Sequence, residues 1–162
     1  MSARSDSAGC PFCPPAQRVF LASERWIVMR HVDPVPIAGW MMLATKAHRS
    51  GLDVMTVIEQ RELGAIMSVL AESVRAVTKC ERTYTISFNE AVPHLHLHTI
   101  PRHAEDASTK SWALADRYRS TAAGLMPPCD DDHADDVAQR VAIHALTKLS
   151  ALGFAMPMPT IV

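Results

Sequence analysis

Residues 93–102, PHLHLHTIPR, place three histidines on alternate positions, and this row decides how the rest of the sequence is interpreted. On a β-strand, residues i, i+2 and i+4 share one face, with a rise of about 3.3 Å per residue. The rings of His94, His96 and His98 therefore lie about 6.6 Å apart on one face, while Leu95 and Leu97 point into a core. Such a row fits a metal cage, a catalytic group or a polar strand face without chemistry.

The spacing of the row favours catalysis. A tetrahedral ion that binds all three rings needs nitrogen donors about 3.3 Å apart, whereas the outer two rings start about 13 Å apart on one strand. At most one or two of the rings can share an ion. A polar face without chemistry would leave three buried rings, each of which needs hydrogen-bond partners. We therefore expect a catalytic row and keep a metal-dependent hydrolase as an alternative.

The composition is that of an ordinary globular domain. The chain has 162 residues, enough for one core, and its 16 basic and 17 acidic residues give a net charge of −1. No long basic run indicates a nucleic-acid partner, but a mononucleotide needs only a local site. The sequence has neither a secretory signal nor an apolar run of membrane-spanning length, so we expect a cytoplasmic protein without a membrane partner.

Hydrophobic periodicity predicts five strands and two helices. Alternating or continuous apolar runs predict strands over 18–22, 26–31, 40–45, 83–89 and 94–100. A capping box at Thr56 and Glu59, followed by an apolar stripe at spacings of three and four, predicts a long amphipathic helix over 56–79. A second stripe behind the acidic run 130–136 predicts a C-terminal helix. The order of these elements predicts an α+β domain with a mainly antiparallel sheet of about five strands.

The chain divides into three parts. Residues 1–9 are small and polar and are expected to form a flexible N-terminal arm. Residues 10–103 are expected to form the core of the domain, and residues 104–162 to add a loop, the C-terminal helix and a tail that pack on the same domain. Within this last part, the polar stretch 103–132 predicts a long loop with room for a single helical turn.

The sequence HLHLHTI resembles the histidine triad (HIT) motif, His-φ-His-φ-His-φ-φ, with Thr99 at a position where the motif prefers an apolar residue. The flanking features follow the order found in HIT proteins: CPFC near the start, a strand ending in Lys46-Ala47-His48, a long amphipathic helix, a strand ending in Asn89, and Pro101-Arg102 after the triad. The resemblance covers residues 10–103 and implies a HIT-like fold and a homodimer.

The resemblance implies a nucleotidyl hydrolase or transferase. Such an enzyme attacks the α-phosphate of a nucleoside phosphate ester, anhydride or phosphoramidate, for example a dinucleoside polyphosphate. His96 takes the place of the family's nucleophile, since a neutral imidazole can form a covalent phosphoramidate near pH 7. Its other ring nitrogen would donate to the backbone carbonyl of His94. His98 would contact the phosphate or the leaving oxygen as a donor or general acid, and Asn89 would orient the phosphate.

Cys10 and Cys13 form a C-x-x-C pair, which has the spacing of half a zinc site. Metal-binding members of the superfamily take one histidine from the Lys-x-His segment and one from the first triad position, which implies His48 and His94 as the other two ligands. Four protein ligands leave no open position for water, so the zinc ion would be structural. It would tie the N-terminal segment to the histidine row and steady His96. The alternative is two spare thiols in a turn beside a surface histidine.

The substrate site departs from the family pattern. Many HIT proteins carry a Gly-Gln pair before the triad, whereas this chain has NEAVP over residues 89–93. They also often place an aspartate after the second strand to bind the ribose, and the nearest candidates here are His31 and Asp33. Arg102 is a further candidate for binding phosphate charge. Because HIT-like domains can keep the pocket without catalysis, a non-catalytic nucleotide-binding or adaptor protein is the main alternative to an enzyme.

Overall fold

The structure, a computed structural model, describes residues 9–13 and 16–157. Five strands form one antiparallel sheet in the order β1-β2-β3-β5-β4. The strands are β1 (Val19–Ala22), β2 (Trp26–Arg30), β3 (Met41–Thr45), β4 (Arg82–Ile86) and β5 (His96–Arg102). The helices of eight or more residues are α1 (Val57–Thr78), α2 (Ser111–Ala122) and α3 (Asp131–Leu149). The predicted α+β fold, with a five-stranded antiparallel sheet, a long helix and a C-terminal helix, is confirmed.

Two predicted segments fall largely outside the described part of the chain. The N-terminal arm, residues 1–9, lies outside it except for Gly9. The last five residues of the tail, 158–162, lie outside it as well. None of the helices in the described part of the chain combines the length and the apolar character that a membrane span requires.

Helix α1 begins at the predicted capping box. The Thr56 hydroxyl accepts from the Glu59 backbone N–H at 3.3 Å, and the Glu59 carboxylate accepts from the Thr56 backbone N–H at 2.6 Å. This exchange satisfies two of the backbone donors that a helix start leaves free. The buried stripe of the helix contains Ile66, Leu70 and Val74, as its periodicity predicted. The capping box therefore sets where the helix begins, and the stripe sets which face packs on the sheet.

Helix α3 starts at the acidic run. The Asp130 carboxylate accepts from the His133 backbone N–H at 2.9 Å, and acidic residues in the first turn suit the positive end of the helix dipole. Its buried face packs with α1 on one face of the sheet. That face carries Trp26, Val28, Leu43 and Leu97, and together they form the main core. His96 and His98 therefore lie on the other face of the sheet, away from the main core.

The second face of the sheet is covered only at its two ends. The turn of residues 10–13 packs on one end through Phe12, which lies with Ile27, Met29 and Met42. Helix α2 packs on the other end through Leu114, which contacts Trp40 and Ile100. The expectation of a long loop over 103–132 is wrong over Ser111–Ala122, which is a helix of 12 residues. Its packing on the sheet, rather than its local sequence, explains the difference.

The boundaries of the last two strands also differ from the expectation. Strand β4 ends at Ile86 instead of Asn89, and Asn89 itself has a positive φ of 52°, which is outside the extended conformation. Strand β5 runs on through Pro101, which lies opposite Thr83 in β4. The pairing of β5 with β3 ends at Thr99, so the missing N–H of proline falls where no strand accepts it.

Candidate functional site

A cavity of about 890 Å³ lies on the histidine face of the sheet, between the turn of residues 10–13 and α2. Its floor is formed by side chains of β2, β3, β4 and β5, which alternate out of the sheet toward this face. The predicted site residues that line it are His31, Asp33, Asn89, His96 and His98. The structure thus brings together five of the six residues that the sequence proposed for catalysis and substrate binding.

The His96 ring is held by the backbone just before β5. Its Nδ1 lies 2.7 Å from the backbone carbonyl oxygen of His94, and since a carbonyl can only accept, Nδ1 carries the hydrogen. The lone pair of the neutral ring is therefore on Nε2. The ring of Phe12 stacks on the imidazole with centroids 4.3 Å apart. Burial lowers the pKa of His96, which favours the neutral, nucleophilic form at neutral pH.

Asn89 connects the cavity wall to the backbone of the histidine row. Its side-chain Oδ1 accepts from the His96 backbone N–H at 3.2 Å and lies 3.2 Å from the Ser87 hydroxyl. Ser87 in turn donates to the His96 carbonyl at 2.7 Å. Because Oδ1 is engaged, the amide NH₂ is the group that Asn89 can offer to a ligand. This arrangement fits the binding of a phosphate oxygen next to His96.

His98 lies two residues further along the same face. Its Nδ1 accepts a hydrogen bond of 3.0 Å from the indole N–H of Trp40. Burial, followed by the nearby His96 and His31, lowers the pKa of His98 to about 3. The ring is therefore neutral at physiological pH and presents its other nitrogen, Nε2, to a ligand.

The residues proposed to bind the sugar lie at the edge of this cluster. His31 donates from Nδ1 to the Pro34 carbonyl at 2.6 Å and packs against Trp40 and His98. Burial lowers its pKa as well. Asp33 follows two residues later and also lines the cavity. Both are placed to contact a ligand on the histidine face, His31 from within the aromatic cluster.

Arg102 lies apart from the other predicted site residues. It is at the far end of β5, where its guanidinium pairs with Glu81, and it is not part of the cavity lining. It is four positions after His98, a distance of about 13 Å along β5. We therefore leave Arg102 out of the substrate site.

Cys10, Cys13, His48 and His94 converge as the resemblance implied. One ligand atom from each lies within 4.8 Å of the other three. The Cys10 sulfur is 3.3 Å from His94 Nδ1, and the Cys13 sulfur is 3.5 Å from His48 Nδ1 and 3.6 Å from His94 Nδ1. A tetrahedral zinc ion places a bound sulfur and a bound nitrogen about 3.6 Å apart. The donor set and its spacing therefore fit a zinc ion.

The orientation of His94 also suits a metal ligand. Its Nε2 lies 2.7 Å from the Thr45 carbonyl oxygen, so this nitrogen carries the hydrogen and Nδ1 keeps its lone pair. Metal-bound histidines are commonly fixed by such a contact through the second nitrogen. His94 faces the thiols, whereas His96 and His98 line the cavity. The three rings therefore do not converge on one point where a single ion could bind all of them. This agrees with the spacing of the three histidines on the strand, which allows at most one or two of the rings to share an ion.

Several residues that shape the cavity were not predicted from the sequence. Helix α2 supplies an exposed Trp112, together with Tyr118 and Arg119. No motif signals them, because α2 begins without a capping side chain. Phe12 and Trp40 could have been found, Phe12 from its position between the two cysteines and Trp40 from its alternation with Met42 on the face of β3.

Among the comparisons with known proteins, the one with solved structures identifies the fold. No protein-family model matches the sequence, and no curated protein is similar to it. The solved structures that resemble it are consistently histidine triad proteins. One from Bradyrhizobium japonicum has a TM-score of 0.58 at 19% identity, over 80% of this chain and 88% of its own. A hypothetical histidine triad nucleotide-binding protein from Sulfolobus tokodaii has a TM-score of 0.58 at 14% identity, over 82% and 85%.

A third similar structure is a zinc-bound histidine triad family protein from Mycobacterium smegmatis. Its TM-score is 0.56 at 16% identity, over 80% of this chain and 84% of its own. These identities are low, so the likeness concerns the fold. The chain has the histidine triad fold, and its Cys-x-x-Cys pair and two histidines form a cluster with the geometry of a metal site.

Proposed function

We propose that this protein is a nucleotide hydrolase or nucleotidyltransferase that works through a covalent nucleotidyl-histidine. One observation carries the proposal: His96 Nδ1 is held by the His94 carbonyl at 2.7 Å, which leaves the Nε2 lone pair of a cavity-lining ring available. A neutral imidazole fixed through one nitrogen is a good nucleophile through the other. The structural neighbours support a nucleotide-binding protein of the histidine triad type.

The proposed reaction has two steps. The lone pair of His96 Nε2 forms a bond to the α-phosphorus, and the bond from phosphorus to the leaving group breaks, with its electron pair going to the leaving group. In the second step the oxygen of water or phosphate bonds to phosphorus, the P–N bond breaks, and its electrons return to Nε2. Where water attacks, the proton that it loses passes to solvent. The His94 carbonyl stabilises the positive charge on the ring while phosphorus is attached. Asn89 and His98 would donate hydrogen bonds to the phosphoryl oxygens or the leaving group.

The charge of the cavity favours substrates with few phosphates. Among its described lining residues, Asp33 and Glu90 are acidic and Arg119 is the basic one. A long polyphosphate would gain little from one exposed cation and would be repelled by two carboxylates. A nucleoside monophosphate joined to a neutral or weakly charged group fits better. A panel of adenylated and guanylated conjugates, compared with dinucleoside polyphosphates, would rank these substrates.

We further propose that Cys10, Cys13, His48 and His94 hold a structural zinc ion. Zinc bound there would supply no open coordination position, since all four ligands come from the protein. It would fix the turn that places Phe12 against His96. The cytoplasmic location and the homodimer stay predictions.

Trapping of the intermediate tests the enzyme directly. The protein is mixed with a nucleotide substrate labelled at the α-phosphate and quenched without acid, because a phosphohistidine bond is acid-labile. We expect label on the wild type and none on His96→Ala, while His133→Ala, an exposed control on α3, should be labelled like the wild type. Turnover without trapped label in both wild type and control, under rapid quench, would contradict the covalent route.

The second candidate is a non-catalytic nucleotide-binding protein. The acidic Glu90 next to the proposed phosphate position supports it, because a carboxylate there weakens the stabilisation of charge that develops in the reaction. Calorimetry with nucleoside monophosphates would show binding in this case too. Binding that is unchanged in His96→Ala, with no turnover of any conjugate by the wild type, would favour this candidate.

A further inference from the structure

We infer that Trp40 is a positioning residue that determines which nitrogen of His98 carries the proton. The inference rests on the proposed function, since it concerns the same site. The indole N–H of Trp40 is 3.0 Å from His98 Nδ1. An indole nitrogen can only donate, so Nδ1 must be the acceptor. In the neutral ring the hydrogen is then on Nε2.

The surroundings keep Trp40 in this position. It is 7% exposed, and its ring packs against His31 and Tyr118 with centroids 4.9 Å and 5.9 Å away. Gly39 precedes it with φ +84°, and a Cβ on this glycine would meet Thr78 Cγ2 at 2.6 Å. The backbone before Trp40 thus passes too close to α1 for any side chain. His31 and Tyr118 pack against the indole, and the close approach at Gly39 restricts the backbone before it. These contacts keep the indole N–H directed at His98.

The bond has a chemical consequence for the proposed reaction. With Nδ1 occupied, His98 offers an Nε2–H to a ligand in the cavity and acts as a neutral hydrogen-bond donor. An imidazolium would require a hydrogen on Nδ1, directed against the indole hydrogen. The titratable groups that pack against His98 are His96 and His31. Tyr118 and Arg119 of α2, and Asp33 after β2, line the same cavity, and no described carboxylate forms a hydrogen bond or ion pair with the His98 ring. His98 therefore stabilises the phosphoryl or leaving oxygen by donation instead of delivering a proton from a cation.

The wild-type protein alone can decide the tautomer. Long-range proton–nitrogen correlation spectra of histidine-labelled protein, assigned with His98→Asn, distinguish a protonated from an unprotonated ring nitrogen. We expect His98 to carry hydrogen on Nε2 and a lone pair on Nδ1. Hydrogen on Nδ1 would overturn the inference, whether or not the protein turns over any substrate. The result is thus independent of the proposed function.

Trp40→Phe removes the N–H and keeps an aromatic ring. We expect a population of His98 with hydrogen on Nδ1 to appear, and kcat to fall roughly three- to tenfold with KM unchanged, because one hydrogen bond biases an equilibrium by about that factor. In a His98→Ala background, which leaves the indole no acceptor to fix, Trp40→Phe should cause no further loss of kcat. Unchanged spectra in Trp40→Phe, or equal losses of kcat in both backgrounds, would overturn the inference.

Trp26→Phe is the matched control. Trp26 donates its indole N–H to Glu62 at 2.9 Å on the opposite face of the sheet, so the substitution removes the same kind of bond away from the cavity. We expect the His98 spectrum and kcat to stay as in the wild type. A tautomer change in this variant would mean that His98 responds to general loosening of the sheet, and the assignment to Trp40 would be wrong.

Discussion

The two ends of the histidine row are held by different kinds of contact, although the rings repeat every second residue. At the amino end, His94 faces two thiols and His48, and its second nitrogen donates to the Thr45 carbonyl. At the carboxyl end, His98 accepts from Trp40 and is surrounded by aromatic rings. Identical residues therefore differ because different groups surround them, although Thr45 is the last residue of β3 and Trp40 directly precedes the same strand. The middle ring, His96, is between a metal-type cluster and an apolar cluster.

The largest expected effect is at the amino end. Cys13→Ser removes one of the four proposed ligands, and we expect the free energy of unfolding with zinc present to fall by on the order of 5 kcal/mol, because a structural zinc ion couples binding to folding. Urea unfolding with and without zinc, and the zinc content of the purified protein, measure it. Cys129→Ser, outside the cluster, is the control. Equal zinc content in the two variants would contradict the site.

A smaller loss is expected from the backbone at the carboxyl end. Gly39→Ala forces a side chain into a positive φ and against Thr78, which should lower the free energy of unfolding by about 3 kcal/mol. Gly64→Ala is the matched control, since a Cβ on Gly64 of helix α1 would meet nothing within 4 Å, and it should raise stability by up to about 1 kcal/mol. Denaturant unfolding of both variants checks the pair, and equal effects would contradict the close approach.

The carboxyl end of the row should make stability depend on pH. The pKa of His98 falls to about 3 from an ordinary value of 6.5, so between these values the unfolded chain binds a proton that the folded chain does not. Stability is then lost as pH falls, by about 1.4 kcal/mol per unit, or about 2 kcal/mol from pH 6.5 to 5. Thermal unfolding across this range should show a flatter slope for His98→Asn and an unchanged slope for the exposed control His133→Asn. Parallel curves would contradict the buried neutral ring.

The smallest effect concerns the attachment of α2. Arg117 donates from two nitrogens to the Pro36 carbonyl and from a third to Asp106, and a lysine cannot reproduce this planar set of donors. Arg117→Lys should cost about 1 kcal/mol of stability. It should raise KM more than it lowers kcat, because α2 forms a wall of the cavity. Arg140→Lys, in an exposed pair on α3, is the control for both measurements, and equal KM values would show that α2 does not shape the site.

The difference between the two ends of the histidine row also explains which features could be predicted from the sequence. The metal cluster was predictable from the C-x-x-C spacing of Cys10 and Cys13 together with the resemblance to the histidine triad family, which implied His48 and His94 as the other two ligands. The strands and α1 were predictable from periodicity and from the capping box at Thr56. These features are local, so a single stretch of sequence contains them.

The wall of the cavity formed by α2 could not be predicted in this way, because contacts between residues far apart in the sequence hold it in place. Helix α2 lacks a capping side chain, and its large apolar residues are limited to Trp112, Leu114 and Tyr118, so its local sequence resembles a polar loop. It is held by Arg117, which bonds to the carbonyl of Pro36, 81 residues away. The bond from Trp40 to His98 likewise joins residues 58 apart. Such contacts follow from strand register and helix packing, which the sequence pattern alone does not specify.

The position of Phe12 between two thiols has a consequence for the protein in an oxidising environment. Thiolate sulfurs are the atoms that peroxide attacks first, and their oxidation would release a bound ion. The turn of residues 10–13 would then lose what fixes it, and the Phe12 ring would leave the face of His96. Oxidative damage at two cysteines would in this way reach the nucleophile while every histidine stays chemically intact.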